Sequence, residues 1–337
     1  MTTRTPESAK AAVDADARVL LVLGRDSSKV DQYWLASGAV SEVVRLENAV
    51  PSGLRFGNRI LGLGVDSVAL ALKAVVLRKG RRYLAANPWI AVALRLLGVR
   101  DIAITGLYAS PGSRSFAVLR RFLGDAAVVT TVQIEADAWN EAGGRAAPVL
   151  YGNTFGYSPR SSDDPRTLTI FIGGSSDRDA AVIATLEREL LEGQPSVFTS
   201  LIVVANDQPS FVATEFVSVE HTGYVSAARF GELLSSSDVV VLPLRPNGRA
   251  AGHMVTVGAL EAGVPVLTTS SNGMEGYVDG RYVKYLVDDL PMLSQASELA
   301  ALGLRERANI VEHWRAVFSR GAYVKRVAHA LMELDGI

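Results

Sequence analysis

The chain has no cysteine among its 337 residues, which excludes disulfides, thiolate nucleophiles and cysteine-ligated zinc. Histidine is scarce too: His221, His253, His313 and His329 are the whole supply, and no two stand at close metal-ligand spacing. A surplus of either charge is missing. Against 35 Asp and Glu stand 34 Lys and Arg, a formal net charge of -1, whereas nucleic-acid binders carry a basic excess. No run of eighteen apolar residues occurs, so no segment is expected to span a bilayer. The first sixteen residues, Met1 to Asp16, lack the apolar centre of a signal peptide and read as a disordered lead-in. Motifs are missing as well: there is no P-loop, no Gly-x-Ser-x-Gly elbow and no zinc motif. The pair Gly62-Leu-Gly64 lacks a third glycine in register and does not follow the first strand, so it makes no dinucleotide fingerprint. These absences predict a cytoplasmic protein without metal or cofactor and without a nucleic-acid partner, at most peripheral to the inner face of a membrane.

What is present is apolar residue, 48% of the chain against 20% charged. That is enough for buried cores, and the length favours two domains. The apolar residues come in short continuous runs: Arg18 to Leu23, Val43 to Leu46, Tyr83 to Ala86 and Asp101 to Thr105. Such runs, without polar alternation, mark strands of a parallel sheet covered on both faces. Helical stretches from Ser67 to about Arg78 and from Pro88 to Leu97 separate them. Asn87-Pro88 punctuates the second helix, since proline suits the first helical position.

Between Gly144 and Pro165 the composition turns to Gly, Ser, Pro, Asp and Asn, and Tyr157 to Pro165 is the best linker candidate. The pattern then restarts. Strands are expected at Thr167 to Ile172, Leu201 to Val204, Asp238 to Leu242 and Val264 to Thr268. Helices are expected up to about Leu191, over Gly252 to Ala262, and along the end of the chain. Strands alternating with helices imply right-handed crossovers and parallel sheets. Two such series predict two doubly wound α/β domains, with ligands at the carboxyl ends of the strands and chemistry in the cleft between domains.

Two segments could carry that chemistry. In Phe171-Ile-Gly-Gly-Ser-Ser-Asp-Arg178 a strand ends in Gly173 and Gly174, and a helix follows near Arg178. Bare amides, a helix N-terminus and a guanidinium suit a phosphate. The plain alternative is an ordinary strand-to-helix turn capped by Ser176 or Asp177. In the second, Leu242 to Val266, a strand leaves through a Pro/Asn/Gly loop into a helix. The backbone of its first turn, Gly252, His253, Met254 and Val255, could meet a sugar or phosphate. Its one carboxylate, Glu261, could hold a ribose diol; a solvated helix charge is the alternative. The basic run Leu77-Arg-Lys-Gly-Arg-Arg82, near Trp89 and Ile90, could rest on anionic lipid or simply end a helix in solvent.

The segment from Ser236 to Gly280 resembles the donor-binding signature of retaining glycosyltransferase family 4 enzymes, of the GT-B structural class. The matching pieces are Ser237-Asp-Val-Val-Val-Leu-Pro243, Leu260-Glu-Ala262, Gly263-Val-Pro-Val-Leu-Thr-Thr269 and Gly273-Met-Glu-Gly-Tyr-Val-Asp-Gly280. Upstream, Thr222-Gly-Tyr-Val-Ser226 fits the loop beside the nucleotide base, and Gly173, Gly174 and Arg178 fall where that family binds diphosphate. The resemblance covers most of residues 167 to 286, in order; the N-terminal half resembles the family only in layout.

This resemblance implies a GT-B architecture. Residues 1 to 155 would bind acceptor and 165 to 315 the nucleotide-sugar, with the helices from about 316 to 337 returning to the first domain. It implies transfer of a sugar from a UDP- or GDP-linked donor to a carbohydrate, lipid-linked or small-molecule acceptor, with retention. Donor contacts would come from Gly173, Gly174, Arg178, Tyr224, Gly252, His253, Met254, Val255 and Glu261. His253 stands where the family has the first of two glutamates, making it the candidate catalytic group. The family's histidine after the fourth N-terminal strand is absent, since that region reads Ile104-Thr-Gly-Leu-Tyr108. Two other readings stay open: a UDP-sugar epimerase of related fold and a non-catalytic GT-B-derived binding subunit.

Overall fold

The computed structural model describes residues 17–24, 28–46, 59–77, 80–160, 167–174, 176–193, 195–205, 208–246 and 249–336. The expected lead-in, residues 78–79 of the basic run and residues 161–165 of the linker candidate lie outside them. Contacts divide the chain into two compact units, one comprising Met1–Val149 with Val324–Ile337, the other Leu150–Tyr323.

The first unit is built on a six-stranded sheet of order β2-β1-β3-β4-β5-β6, parallel throughout. Its strands are β1 (Arg18–Leu23), β2 (Val40–Leu46), β3 (Tyr83–Ala85), β4 (Ile102–Thr105), β5 (Ala127–Thr130) and β6 (Arg145–Pro148). Between them run α1 (Ser28–Ala36), α2 (Arg59–Leu77), α3 (Pro88–Leu96), α4 (Arg114–Leu123) and α5 (Gln133–Glu141). The continuous apolar runs are the strands, and helices packed on the sheet bury them; Val19, Leu20, Leu21, Leu84 and Ile104 are fully enclosed. The punctuation at Asn87-Pro88 works as expected: the Asn87 side chain accepts from the Trp89 amide and Pro88 opens α3. Helix α2 starts well before the expected Ser67. Gly62 and Gly64 read locally as breakers, yet buried Leu70, Ala71 and Ala74 anchor the helix to the core.

The second unit carries seven strands in the order β13-β12-β11-β7-β8-β10-β9. They are β7 (Thr167–Gly173), β8 (Phe198–Val204), β9 (Ser210–Ala213), β10 (Val217–His221), β11 (Val239–Leu242), β12 (Val266–Thr268) and β13 (Val283–Tyr285). All pairings are parallel except β9 with β10, an antiparallel hairpin at one edge. The helices are α6 (Ala180–Glu192), α7 (Ala227–Ser235), α8 (His253–Glu261), α9 (Met292–Val317) and α10 (Arg320–Asp335). The contact boundary at 323/324 falls within α10. Two doubly wound α/β sheets are thus present, as the alternation of strands and helices predicts.

The segment from Leu150 to Arg160, partly expected as linker, is a packed strap of the second unit. Tyr151 N–H donates to the Tyr277 hydroxyl (2.7 Å), and Asn153 N–H to the Phe318 carbonyl (2.8 Å). Arg160 pairs with Asp238 at 3.2 Å. The Tyr157 ring lies so close to α7 and α8 that a Cβ on Gly231 would fall 2.4 Å from it, and one on Gly258 2.9 Å.

Candidate functional site

Strand β7 enters the second sheet at its centre. The chain then builds outward through β8, β10 and β9, and returns to lay β11, β12 and β13 on the other side. The loops leaving β7 and β11 therefore diverge, and the crevice they leave at the strands' carboxyl ends is where open α/β sheets hold ligands.

Both loops are defined by backbone contacts to each other. Asp179 N–H donates to the Pro243 carbonyl at 2.7 Å and Arg245 N–H to the Asp177 carbonyl at 2.9 Å, and Arg178 bridges Leu244. The expected cap at Ser176 or Asp177 is displaced. Asp179 caps α6, accepting from the Ala181 amide, because Asp177 takes a left-handed backbone, φ 58°, and pairs with Arg249 at 2.5 Å.

At the end of β7, Gly174 has φ +95°, and a Cβ there would lie 2.6 Å from Arg178 Nη2. Only glycine lets the guanidinium lie over the turn. Arg178 Nε and Nη2 donate to the Gly173 carbonyl at 2.9 and 2.5 Å, and Nη1 donates to the Ser176 carbonyl at 3.0 Å. All these acceptors are neutral, so no carboxylate is bonded to this cation. Burial pulls its pKa down to about 10, with Asp177 opposing the fall, and it remains charged at neutral pH. A partly buried guanidinium without a bonded counter-ion favours an anion beside it.

Beyond β11, Gly252 takes a left-handed φ of 78° as the N-cap of α8 and offers no side-chain cap. The amides of His253, Met254 and Val255 have no carbonyl four residues back within the helix; Thr256 N–H is the first to find one, on Gly252. The His253 ring is held edge-on by Tyr151 at 5.2 Å and beside Tyr277 at 5.9 Å between centroids. Its Nδ1 is buried without a hydrogen-bond partner among the described residues. Burial, reinforced by the nearby Arg249 cation, lowers its pKa to about 4. The ring is therefore neutral at physiological pH, able to accept at one nitrogen and donate at the other.

The structure brings Gly173, Gly174, Arg178, Gly252 and His253 to the carboxyl ends of β7 and β11, linked through Leu244, Asp177 and Arg249. Met254, at 53% exposure, and half-buried Val255 share the first turn of α8. Tyr224 follows β10, two strands from β7, and is 87% exposed. Glu261 stands apart from this group. It closes α8, eight residues and about 12 Å along the axis from His253, and is only 4% exposed. Its Oε2 accepts from the Phe155 amide at 2.8 Å and its Oε1 from the Gly156 amide at 2.9 Å. Burial nonetheless holds its pKa above the usual value, the backbone amides opposing the rise. Through these two bonds Glu261 clamps the strap within the second unit. Arg249 and Tyr151 carry no local signal, and Asp177 and Tyr277, legible only as a cap candidate and a turn residue, take their roles from partners distant in sequence.

Residues 170–301 match the family model described as Glycosyl transferases group 1. None of the curated proteins matches the chain. Among solved structures, the chain is similar to sucrose-phosphate synthase from Thermosynechococcus elongatus, with 13% identity over 95% of this chain and 99% of that one and a TM-score of 0.64. It is similar to a glycosyltransferase from Rickettsia africae at 9% identity, over 95% and 99% of the two chains, with a TM-score of 0.59. A third, HepE of Anabaena, solved in complex with UDP, shares 13% identity over 94% of this chain and 100% of its own, with a TM-score of 0.57. The two sheets are those of the GT-B fold. Together the domain match and the fold support an enzyme that transfers sugars.

Proposed function

We propose that the protein transfers a sugar from a nucleoside diphosphate donor, UDP- or GDP-linked, to an acceptor hydroxyl, and that the donor sits at the carboxyl ends of β7 and β11. The observation that carries this is Arg178, a cation bonded only to carbonyls and set over a glycine turn. A diphosphate supplies the charge it lacks. The free amides at the start of α8 add donors on the facing side. These groups would meet the diphosphate charge without a metal ion, so transfer is expected to persist in EDTA.

His253, neutral and next to those amides, is placed to hydrogen-bond the donor sugar; a ring that titrates near pH 4 is a poor general acid at neutral pH. Retention follows from the resemblance to the retaining family. We assign acceptor binding to the first unit and a base contact to exposed Tyr224.

The test is incubation with UDP- and GDP-sugars and a panel of carbohydrate and lipid-linked acceptors, followed by mass spectrometry. The proposal predicts release of nucleoside diphosphate together with an acceptor heavier by one glycosyl unit. Isomerisation of the donor alone would instead identify an epimerase. Binding without turnover across the panel would identify a binding subunit, and either result overturns the proposal.

A further inference from the structure

The opposite end of the first sheet holds a feature that sugar transfer does not use. Around the amino ends of β1, β3, β4, β5 and β6 opens a cavity of about 970 Å³. Arg18, Arg82, Arg100, Arg120 and Arg145 line it, with Asp101, Asp125 and Asp335. Amino ends of parallel strands are not where doubly wound sheets place substrates, so this concentration of guanidinium calls for its own account.

The ion pairs account for only part of it. Asp335 accepts from Arg18 and from Arg82, each at 2.8 Å. Asp101 takes Arg82 at 2.7 Å, with Arg18 at 3.9 Å. Asp125 is paired with Arg95. All three carboxylates are thereby occupied. Arg120 bonds only carbonyls, those of Gly124 (3.0 Å) and Ala142 (2.5 Å), and lies over the Trp139 ring at 4.6 Å. Arg145 likewise bonds the carbonyls of Leu334 (2.7 Å) and Asp125 (3.2 Å). Arg100 is exposed and has no hydrogen bond or ion pair among the described residues. Three cations face one cavity with no carboxylate bonded to any of them.

In a chain of net charge -1 such a surplus is local, and clefts lined by one sign of charge concentrate counter-ions. Guanidinium forks suit phosphate oxygens above other anions. Among the described residues the lining has no aromatic face on which a base could stack, as single-stranded nucleic acid would require. We infer that this cavity is a second anion site, which binds a phosphate or diphosphate group through Arg100, Arg120 and Arg145. That group could belong to a soluble phosphorylated metabolite or to an anionic lipid headgroup; Leu96 and Leu97, exposed at the end of α3, lie just before Arg100.

Calorimetric titration of the full chain with pyrophosphate tests the inference, with flotation on phosphatidylglycerol and on phosphatidylcholine vesicles as a second arm. Arg100 has no hydrogen bond or ion pair to lose among the described residues, so Arg100→Ala should leave the melting temperature in buffer unchanged. It should weaken pyrophosphate binding by about tenfold or more, the share of one charge-assisted hydrogen bond. Arg178→Ala, which disables the other candidate site, should leave one pyrophosphate site intact and so separates the two proposals. Binding to phosphatidylglycerol alone, lost in Arg100→Ala, would support the site and name a headgroup as its source. Binding of neither probe, or pyrophosphate binding in the Arg178→Ala background that survives Arg100→Ala combined with Arg120→Gln, would overturn it.

Discussion

Two side chains of α8 show how burial redirects a residue's chemistry. Glu261 is an acid on a helix, a type that ordinarily faces solvent. Here it is enclosed, and it serves the amides of Phe155 and Gly156. At the other end of the helix, His253 is kept neutral by enclosure and by Arg249. That neutrality has a sign in stability. The folded ring takes its proton near pH 4, the unfolded one near 6.5. The contribution is therefore complete above pH 6.5 and is lost as pH falls toward 4, by up to about 1.4 kcal/mol per pH unit. His253→Gln removes the titration while keeping a neutral polar side chain. Between about pH 7 and about pH 5, urea unfolding should show the wild type losing roughly 1–2 kcal/mol more stability than the variant. Equal losses would mean that the ring is freely protonated in the folded protein.

Among the elements, the strap from Leu150 to Arg160 stands out because composition alone marks its latter part as a linker. What binds it is small residues on its neighbours: Gly231 of α7 and Gly258 of α8 admit the Tyr157 ring at a distance no Cβ could tolerate. Gly231→Ala brings two effects into opposition. Helix propensity should gain about 0.5–1 kcal/mol, while overpacking against the ring should cost about 1–3 kcal/mol. Net destabilisation is expected, and it should shrink or reverse in a Tyr157→Ala background. A double-mutant cycle by thermal unfolding measures this, and additive effects would contradict the packing described.

The same scale explains which elements could be read from sequence. Central strands such as Ile170 to Ile172 and Val239 to Leu242 are covered on both faces, so their residues are uninterruptedly apolar and stand out. The edge strands are not. β9 is exposed at every position, and β6, exposed at both of its ends, reads Arg-Ala-Ala-Pro; neither leaves a hydrophobic signature. Within the candidate site, Gly173, Gly174 and Arg178 were legible because a strand, a turn and a helix start are local features. Glu261 was not, because its partners lie more than a hundred positions earlier in the chain. The pairing of Asp177 with Arg249 spans 72 positions and is equally invisible to local patterns.

At the scale of the whole molecule, two GT-B sheets support a sugar-transferring enzyme, and the proposed place of its donor diphosphate is where β7 and β11 diverge. No helix among the described residues is long and apolar enough to cross a membrane. Each unit carries its own concentration of positive charge: Arg178 at the carboxyl ends of the second sheet, and an arginine-lined cavity at the amino ends of the first. The most direct measurement is the thermal shift given by UDP and GDP on wild type, Arg178→Ala and Arg178→Lys. A nucleotide at a hundred times its dissociation constant should stabilise the wild type by about 2.7 kcal/mol. Arg178→Ala should weaken that affinity by roughly ten- to a hundredfold, and Arg178→Lys, which keeps the charge but not the fork, should fall between. A full shift in Arg178→Ala, or none in the folded wild type, would contradict the placement of the donor.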